Sequence, residues 1–233
     1  LLGYFKSIKV NNFRNFSDFN LEFSNKCNVL YGTNGCGKTN LLEAISICSK
    51  GRGIRKDKIF NFIKKNEEFF SNIANFIDEE VEYELKVCSE NNNNKFQKKI
   101  YLNGEISTEV NNKIQSLITF LIYIPENERL FIASPNTRRN LFDHFIFSNN
   151  KKYNTLLNFY KKNITERSII LHNNETDQIW LDNIEGQIAE SGMEIYAQRV
   201  RQVDIFEKNL EHINKYFNIP FKINIQISDP LLH

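Results

Sequence analysis

Eight consecutive residues carry the plainest chemistry in this chain: Gly32-Thr33-Asn34-Gly35-Cys36-Gly37-Lys38-Thr39, which fits G-x-x-x-x-G-K-[ST] at every required position. Glycines at these places let the backbone curl so that successive N–H groups point inward at phosphate oxygens. A helix opening directly afterwards adds its N-terminal dipole. Lys38 brings a point charge to the β and γ phosphates. Thr39 offers its hydroxyl to Mg²⁺, which takes oxygen ligands in octahedral geometry. The eight residues predict a nucleoside-triphosphate site with ATP and Mg²⁺ as occupants, and Cys36 reads as a small filler within it.

Such a loop needs a buried strand before it and an amphipathic helix after it. Residues 27–31 form a short apolar run ending on Gly32, the expected strand. From Lys38 onward Leu41, Leu42, Ile45 and Cys48 recur at three- and four-residue spacing, which predicts a helix ending near Lys50-Gly51. Residues 5–10 alternate apolar and polar, and Phe19, Leu21 and Phe23 point one way while Asn20 and Glu22 point the other, giving two earlier strands. Further strand-like runs occupy 69–77, 81–88 and 96–102, with an Asn-rich hairpin loop at 91–94. Residues 117–124 are nearly all apolar and stop at Pro125, as a strand buried on both faces would.

Beyond Pro125 the pattern turns helical. Helices are predicted at 138–148, at 151–172 and over a long stretch from 176 to 217, where Gly186 and Gly192 suggest a kink or break. Residues 221–227 read as a strand returning to the sheet. The expected organisation is a nucleotide-binding lobe at 1–125, a helical arm at 126–217, and the start of a return to the sheet at 218–233. The chain opens without Met and stops just after that last run, which reads as a fragment or a truncated gene.

Composition sets few further limits. With 41% hydrophobic and 25% charged residues the chain reads as a soluble globular protein, and a net charge of +2 means any basic surface must be local. Cys27, Cys36, Cys48 and Cys88 show no zinc-ligand spacing and suit a reducing cytoplasm. No signal peptide or membrane-length apolar run is present in the sequence.

Around the loop, the flanking residues resemble the RecF family of bacterial recombination and repair ATPases, whose heads are related to SMC-type ABC ATPases. Ile8-Lys9-Val10-Asn11-Asn12-Phe13-Arg14-Asn15-Phe16 is similar to that group's N-F-R-N-F/Y element, and Thr33 through Ile45 is close to its loop and helix. Gly51-Arg52-Gly53-Ile54-Arg55 resembles the stretch after that helix. Ile124-Pro125-Glu126 and Ser134-Pro135-Asn136-Thr137-Arg138-Arg139-Asn140-Leu141-Phe142-Asp143 look like the family's S-P-E and G-S-P-x-x-R-R-x-F-L-D runs. The likeness covers essentially the whole chain in order.

The resemblance implies an α/β fold, a P-loop NTPase of the ABC-ATPase/SMC-head type with a helical arm. It implies that Arg14 lies near the nucleotide and that Glu126 joins Thr39 on the metal side. It implies DNA replication, repair and recombination work in the cytoplasm: binding single- and double-stranded DNA at junctions, recombinase loading and the SOS response. Its partners would be DNA, a second copy in an ATP-dependent homodimer, and RecR-like and RecO-like mediators, with no membrane. Arg52, Arg55, Lys56 and Lys58 form a basic cluster suited to salt-dependent phosphate contacts, or else a solvated loop. Arg138 and Arg139 suit either helix capping or contact with DNA or a partner.

One departure matters. The family's Walker B carboxylates and signature loop have no counterpart in these residues, so binding is expected to be retained better than hydrolysis. Two other readings stay open: a different SMC-like ABC head, or an inactive remnant keeping at most nucleotide binding.

Overall fold

A computed structural model describes residues 3–49, 51–92, 95–123, 132, 134–172, 178–217, 220 and 223–227. The chain divides into two compact units, Leu1–Ile122 and Tyr123–His233.

The first unit is built on a five-stranded sheet of order β2-β1-β3-β4-β5, in which every pairing is antiparallel. Its strands are β1 (Tyr4–Phe13), β2 (Phe16–Glu22), β3 (Ser71–Asp78), β4 (Val81–Asn92) and β5 (Lys95–Leu102). Alternation decides which face is buried. Ile8 and Val10 on β1, Ala74 and Phe76 on β3, Leu85 and Val87 on β4, and Ile100 and Leu102 on β5 share one core. Helix α1 (Lys38–Ser46) sets Leu41 and Ala44 into the same core, and Ile47 and Cys48 just beyond its end join them. The buried stripe is therefore shifted from the predicted one, since Leu42 faces solvent. The helix also ends earlier than expected, at Ile47, whose N–H reaches back to Glu43.

At one end of the sheet Phe13, Phe62 and Phe70 pack ring to ring, with centroids 5.2 to 6.2 Å apart. Phe62 arrives there on a short 3-10 turn, Ile59–Phe62. The cluster anchors the β1–β2 turn and the 51–62 segment to the sheet.

The strands expected at 27–31 and 117–124 do not form among the described residues. Residues 27–31 carry no strand, and Val29 and Tyr31 are 77% and 92% exposed. No neighbouring strand offers them a ladder among the described residues. Asn28 instead ties the preceding turn, accepting from Ser24 N–H and donating to the carbonyls of Ser24 and Lys26, and such local bonds compete with sheet formation. At 117–124 the apolar run is split: Leu117 ends a helix, α2 (Thr108–Leu117), and 118–123 is irregular, with Ile124 outside the described residues. Helix α2 starts where Ser107 caps it, its hydroxyl accepting from Val110 N–H at 3.0 Å.

The second unit is helical: α3 (Pro135–Asn149), α4 (Lys152–His172) and α5 (Gln178–Phe217). Ser134 caps α3, and Pro135 occupies its first turn, where the missing N–H is harmless. Helix α5 runs without the expected break. Gly192 is useful there because a Cβ would come within 3.3 Å of the Tyr160 ring on α4, so its absence permits close helix packing. A buried polar knot ties all three helices. Asp143 on α3 accepts from the Tyr153 hydroxyl of α4 at 2.7 Å and takes a bidentate pair from Arg199 of α5 at 2.9 Å. Burial, then the Asp143 hydrogen bond, raises the Tyr153 pKa. Residues 223–227 carry no strand, and Phe221 and Lys222 lie outside the described residues.

Truncating Phe13 tests the aromatic anchor. Phe13→Ala is expected to destabilise the first unit by about 3–5 kcal/mol, read from urea unfolding followed by circular dichroism.

Candidate functional site

The loop 32–37 is an exposed turn that delivers Lys38 as the first residue of α1. Gly37 is the helix N-cap in the left-handed region, at φ 107°, where only glycine sits without strain. A Cβ there would also come within 2.7 Å of the Asn15 amide and 2.8 Å of the Phe16 ring. The β1–β2 turn therefore lies directly against the loop. Lys38 Nζ donates to the carbonyl oxygens of Gly32 at 2.8 Å and Thr33 at 2.9 Å, and lies 3.8 Å from Cys36 Sγ. Thr39 lies in the first turn of the helix, one residue beyond.

These residues fit a polyphosphate. The lysine is held over the loop by exchangeable carbonyl contacts, glycines keep side chains out of the curl, and the helix N-terminus faces the same place. A threonine hydroxyl one residue beyond suits Mg²⁺. Beside the loop, a cavity of about 300 Å³ is bounded by Phe16, Phe19, Leu21, Tyr31 and Leu41.

A charged network lies one turn further along α1. Glu43 is fully buried, and its Oε2 accepts from Arg14 Nε at 2.9 Å and from Arg55 at 3.2 Å. Arg14 also donates to Asp57 at 2.9 Å and to the Asn61 carbonyl at 2.8 Å, and its guanidinium lies 5.0 Å from the centre of the Phe62 ring. Burial alone would lower the Arg14 pKa, but its bonds to Glu43 and Asp57 outweigh that and raise it. Asp57 accepts from the Asn61 amide at 2.6 Å, from Arg14 and from Lys58 N–H, and together these bring its pKa to about 2. Asn40 joins the two regions. Its amide donates to Asn15 Oδ1 at 2.8 Å, and its own Oδ1 accepts from Arg55 at 2.9 Å.

The far end of α1 is held from β5. Lys98 Nζ donates to the carbonyls of Ile47, Ser49 and Gly51, at 3.2, 2.7 and 2.5 Å, stabilising the negative end of the helix dipole. Burial pulls the Lys98 pKa down to about 8. Next to it, burial pushes the Cys48 thiol up to about 12, so this cysteine is inert at neutral pH.

Gly32 to Thr39 form one continuous loop and helix start, as the sequence predicts. Arg14 lies beside that site, but its partners Glu43, Asp57, Asn61 and Phe62 are outside the loop. Arg52, Arg55, Lys56 and Lys58 all lie on the segment after α1, with Arg55 already engaged by Asn40 and Glu43. Glu126 lies outside the described residues. Arg139 donates to Asn136 within α3, and Arg138 is in the same turn. Sequence reasoning missed Glu43, Asp57 and Asn61. The available signal was a carboxylate among the apolar positions of the helix, which must find a cation if buried. Among the described residues no cluster of His, Cys, Asp and Glu could hold a metal by itself, and no helix is long and apolar enough to cross a membrane.

Known proteins resemble this chain in sequence and in fold. Residues 7–226 match the family model for an AAA domain. The DNA replication and repair protein RecF of Rickettsia bellii is 26% identical over 223 residues, and that of Rickettsia akari 28% over 214 residues. Each alignment covers 92% of this chain and 58% of the relative, so the chain spans under two thirds of the length of the relatives it matches. A solved structure of the recombination mediator protein RecF with ATPγS superposes with a TM-score of 0.75 at 28% identity, over 93% of this chain and 58% of that one. The Smc head domain of Pyrococcus furiosus superposes at 0.52 with 18% identity, over 92% and 63%, a likeness of fold.

Asp57 gives this site a pH signature. Its folded pKa of about 2 lies below the ordinary 3.8, so its contribution is complete above about pH 4 and disappears as pH falls through 2. Urea midpoints measured from pH 5 to pH 2 should converge for wild type and Asp57→Asn as pH drops, with wild type the more stable at pH 5.

Proposed function

The chain belongs to the AAA-domain family, and from that premise we propose that it is an ATP-binding, DNA-binding component of recombination-linked DNA repair. The observation that carries the reading is Lys38, held over a glycine loop at the N-terminus of α1 by two carbonyls that a phosphate can replace. In this reading Gly32, Thr33, Asn34, Gly35, Cys36, Gly37, Lys38 and Thr39 hold the ATP phosphates. Thr39 contributes to Mg²⁺, which neutralises phosphate charge when bound. The unit containing β1–β5 is the nucleotide lobe, and the helical unit is an arm.

Relatives named for DNA replication and repair support the DNA assignment. The segment with Arg52, Arg55, Lys56 and Lys58 supplies the cations. Such contacts give affinity for the phosphate backbone without reading base sequence. The further partners in this reading are a second copy, in an ATP-dependent dimer, and RecO-like and RecR-like mediators. Its setting is the cytoplasmic response to DNA damage. Binding is the activity assigned to these residues; turnover is not.

Two measurements test the reading. A fluorescent ATP analogue should bind the wild-type chain with Mg²⁺, and Lys38→Ala should weaken it about tenfold to a hundredfold, the effect of losing charge-assisted bonds. Equal affinity would sink the nucleotide assignment. For duplex DNA, replacing Arg52, Arg55, Lys56 and Lys58 by Gln should weaken binding. The slope of log K against log salt should also shrink, by about 0.9 for each phosphate no longer neutralised. An unchanged slope removes this segment as the DNA site.

A further inference from the structure

Three segments meet on one buried carboxylate. Glu43 stands on α1, the helix whose first turn lines the phosphate loop. Arg14 comes from the β1–β2 turn, and Arg55 from the basic segment. The two guanidiniums are held unequally. Arg14 is 16% exposed, sits at 2.9 Å and is locked by Asp57, Asn61 and Phe62. Arg55 is 45% exposed, sits at 3.2 Å, and its other partner is the neutral Asn40. Arg14 is the fixed member and Arg55 the exchangeable one.

Release of Arg55 would leave Glu43 with its Arg14 pair, so no uncompensated buried charge results, the outcome that makes breaking most buried pairs so costly. In the opposite direction, Glu43 Oε1 has no protein partner among the described residues and can accept a second bond from an inward-turned guanidinium. Arg55 thus has two arrangements available, clamped on α1 or turned out to a polyanion.

The clamp is wired to the phosphate site. Asn40 follows Thr39 directly and bonds both Asn15, against which Gly37 packs, and Arg55. Any adjustment of the first turn as Lys38 leaves its carbonyls for phosphate acts on Arg55 through Asn40 and Glu43.

We propose that Glu43 is a positioning residue which, with Asn40, transmits occupancy of the phosphate loop to the basic segment by holding or releasing Arg55. The proposal rests on the ATP-binding reading above. It assigns regulation of that site to residues that do not touch the nucleotide.

Hydrogen exchange of residues 51–58, with and without saturating Mg²⁺ and ATPγS, tests this on the full chain. In wild type the nucleotide should change exchange in this segment by about fivefold or more, a typical allosteric coupling. Glu43→Gln and Arg55→Ala should each abolish the linked change, and Arg55→Lys should restore part of it. Arg55 is partly exposed, so Arg55→Ala keeps the test valid even if Glu43→Gln folds poorly. ATPγS binding to wild type with no change at 51–58, or a full linked change in Arg55→Ala, overturns the proposal. Calorimetry on the same samples separates the two levels: no ATPγS binding to wild type defeats the nucleotide reading, and the proposal with it. Linked exchange without duplex binding supports the coupling and defeats only the DNA assignment.

Discussion

A carboxylate with no solvent exposure must be surrounded by cations and donors, and Glu43 imposes that requirement on the first unit. Leaving a buried charge unpaired costs about 3–5 kcal/mol, comparable with much of a domain's net stability. The surrounding backbone is bent to satisfy it. Arg14 sits in the left-handed region at φ 54°, an unfavourable place for a long side chain, and there it reaches Glu43 and Asp57 at once. The Phe13, Phe62 and Phe70 rings fix the turn from beneath, and Lys98 fixes the segment that brings Arg55. The phosphate loop inherits its position from these constraints, because its helix cannot rotate without separating Glu43 from its cations.

The second unit uses the same physics with a different outcome. Asp143 is buried and held bidentately by Arg199, with the Tyr153 hydroxyl on one of its oxygens. All the participants stand on helices, and both carboxylate oxygens are occupied. That knot is closed and serves to hold three helices in register. In the Glu43 network one oxygen is shared by two arginines, one of them half-exposed, and the other oxygen has no partner among the described residues. A clamp and a coupling element differ here only in how completely the carboxylate is satisfied.

Much of this was legible in the sequence because the signals were local. The glycine loop declared itself by residue type, two strands followed from alternation, and three more from strand-like runs. The long helices followed from their helical pattern, although α3 begins at Pro135 under a Ser134 cap, three residues before the expected 138. Other features depend on partners remote in sequence. Glu43 stands among the apolar positions of its helix, but the cations that neutralise it lie 29 residues before it and 12 after it. Residues 27–31 have strand composition but no ladder, and 117–124 have the composition of a buried strand while Ser107 has already committed the preceding residues to a helix. Gly192 reads as a weakness in α5 and is instead a packing contact with Tyr160. Apolar pattern reports a tendency to be covered, and the covering group is set by tertiary structure.

The stretch at 27–31 has a practical consequence. It is short, uncharged and free of proline, and it presents Val29 and Tyr31 to water next to backbone with no ladder partner among the described residues. Windows of that kind template intermolecular strand pairing. The patch is therefore one place where isolated chains can pair edge to edge, whatever the stability of the fold. A single charge placed at Val29 would be a gatekeeper, improving solubility at high concentration while leaving the core and the Glu43 network unchanged.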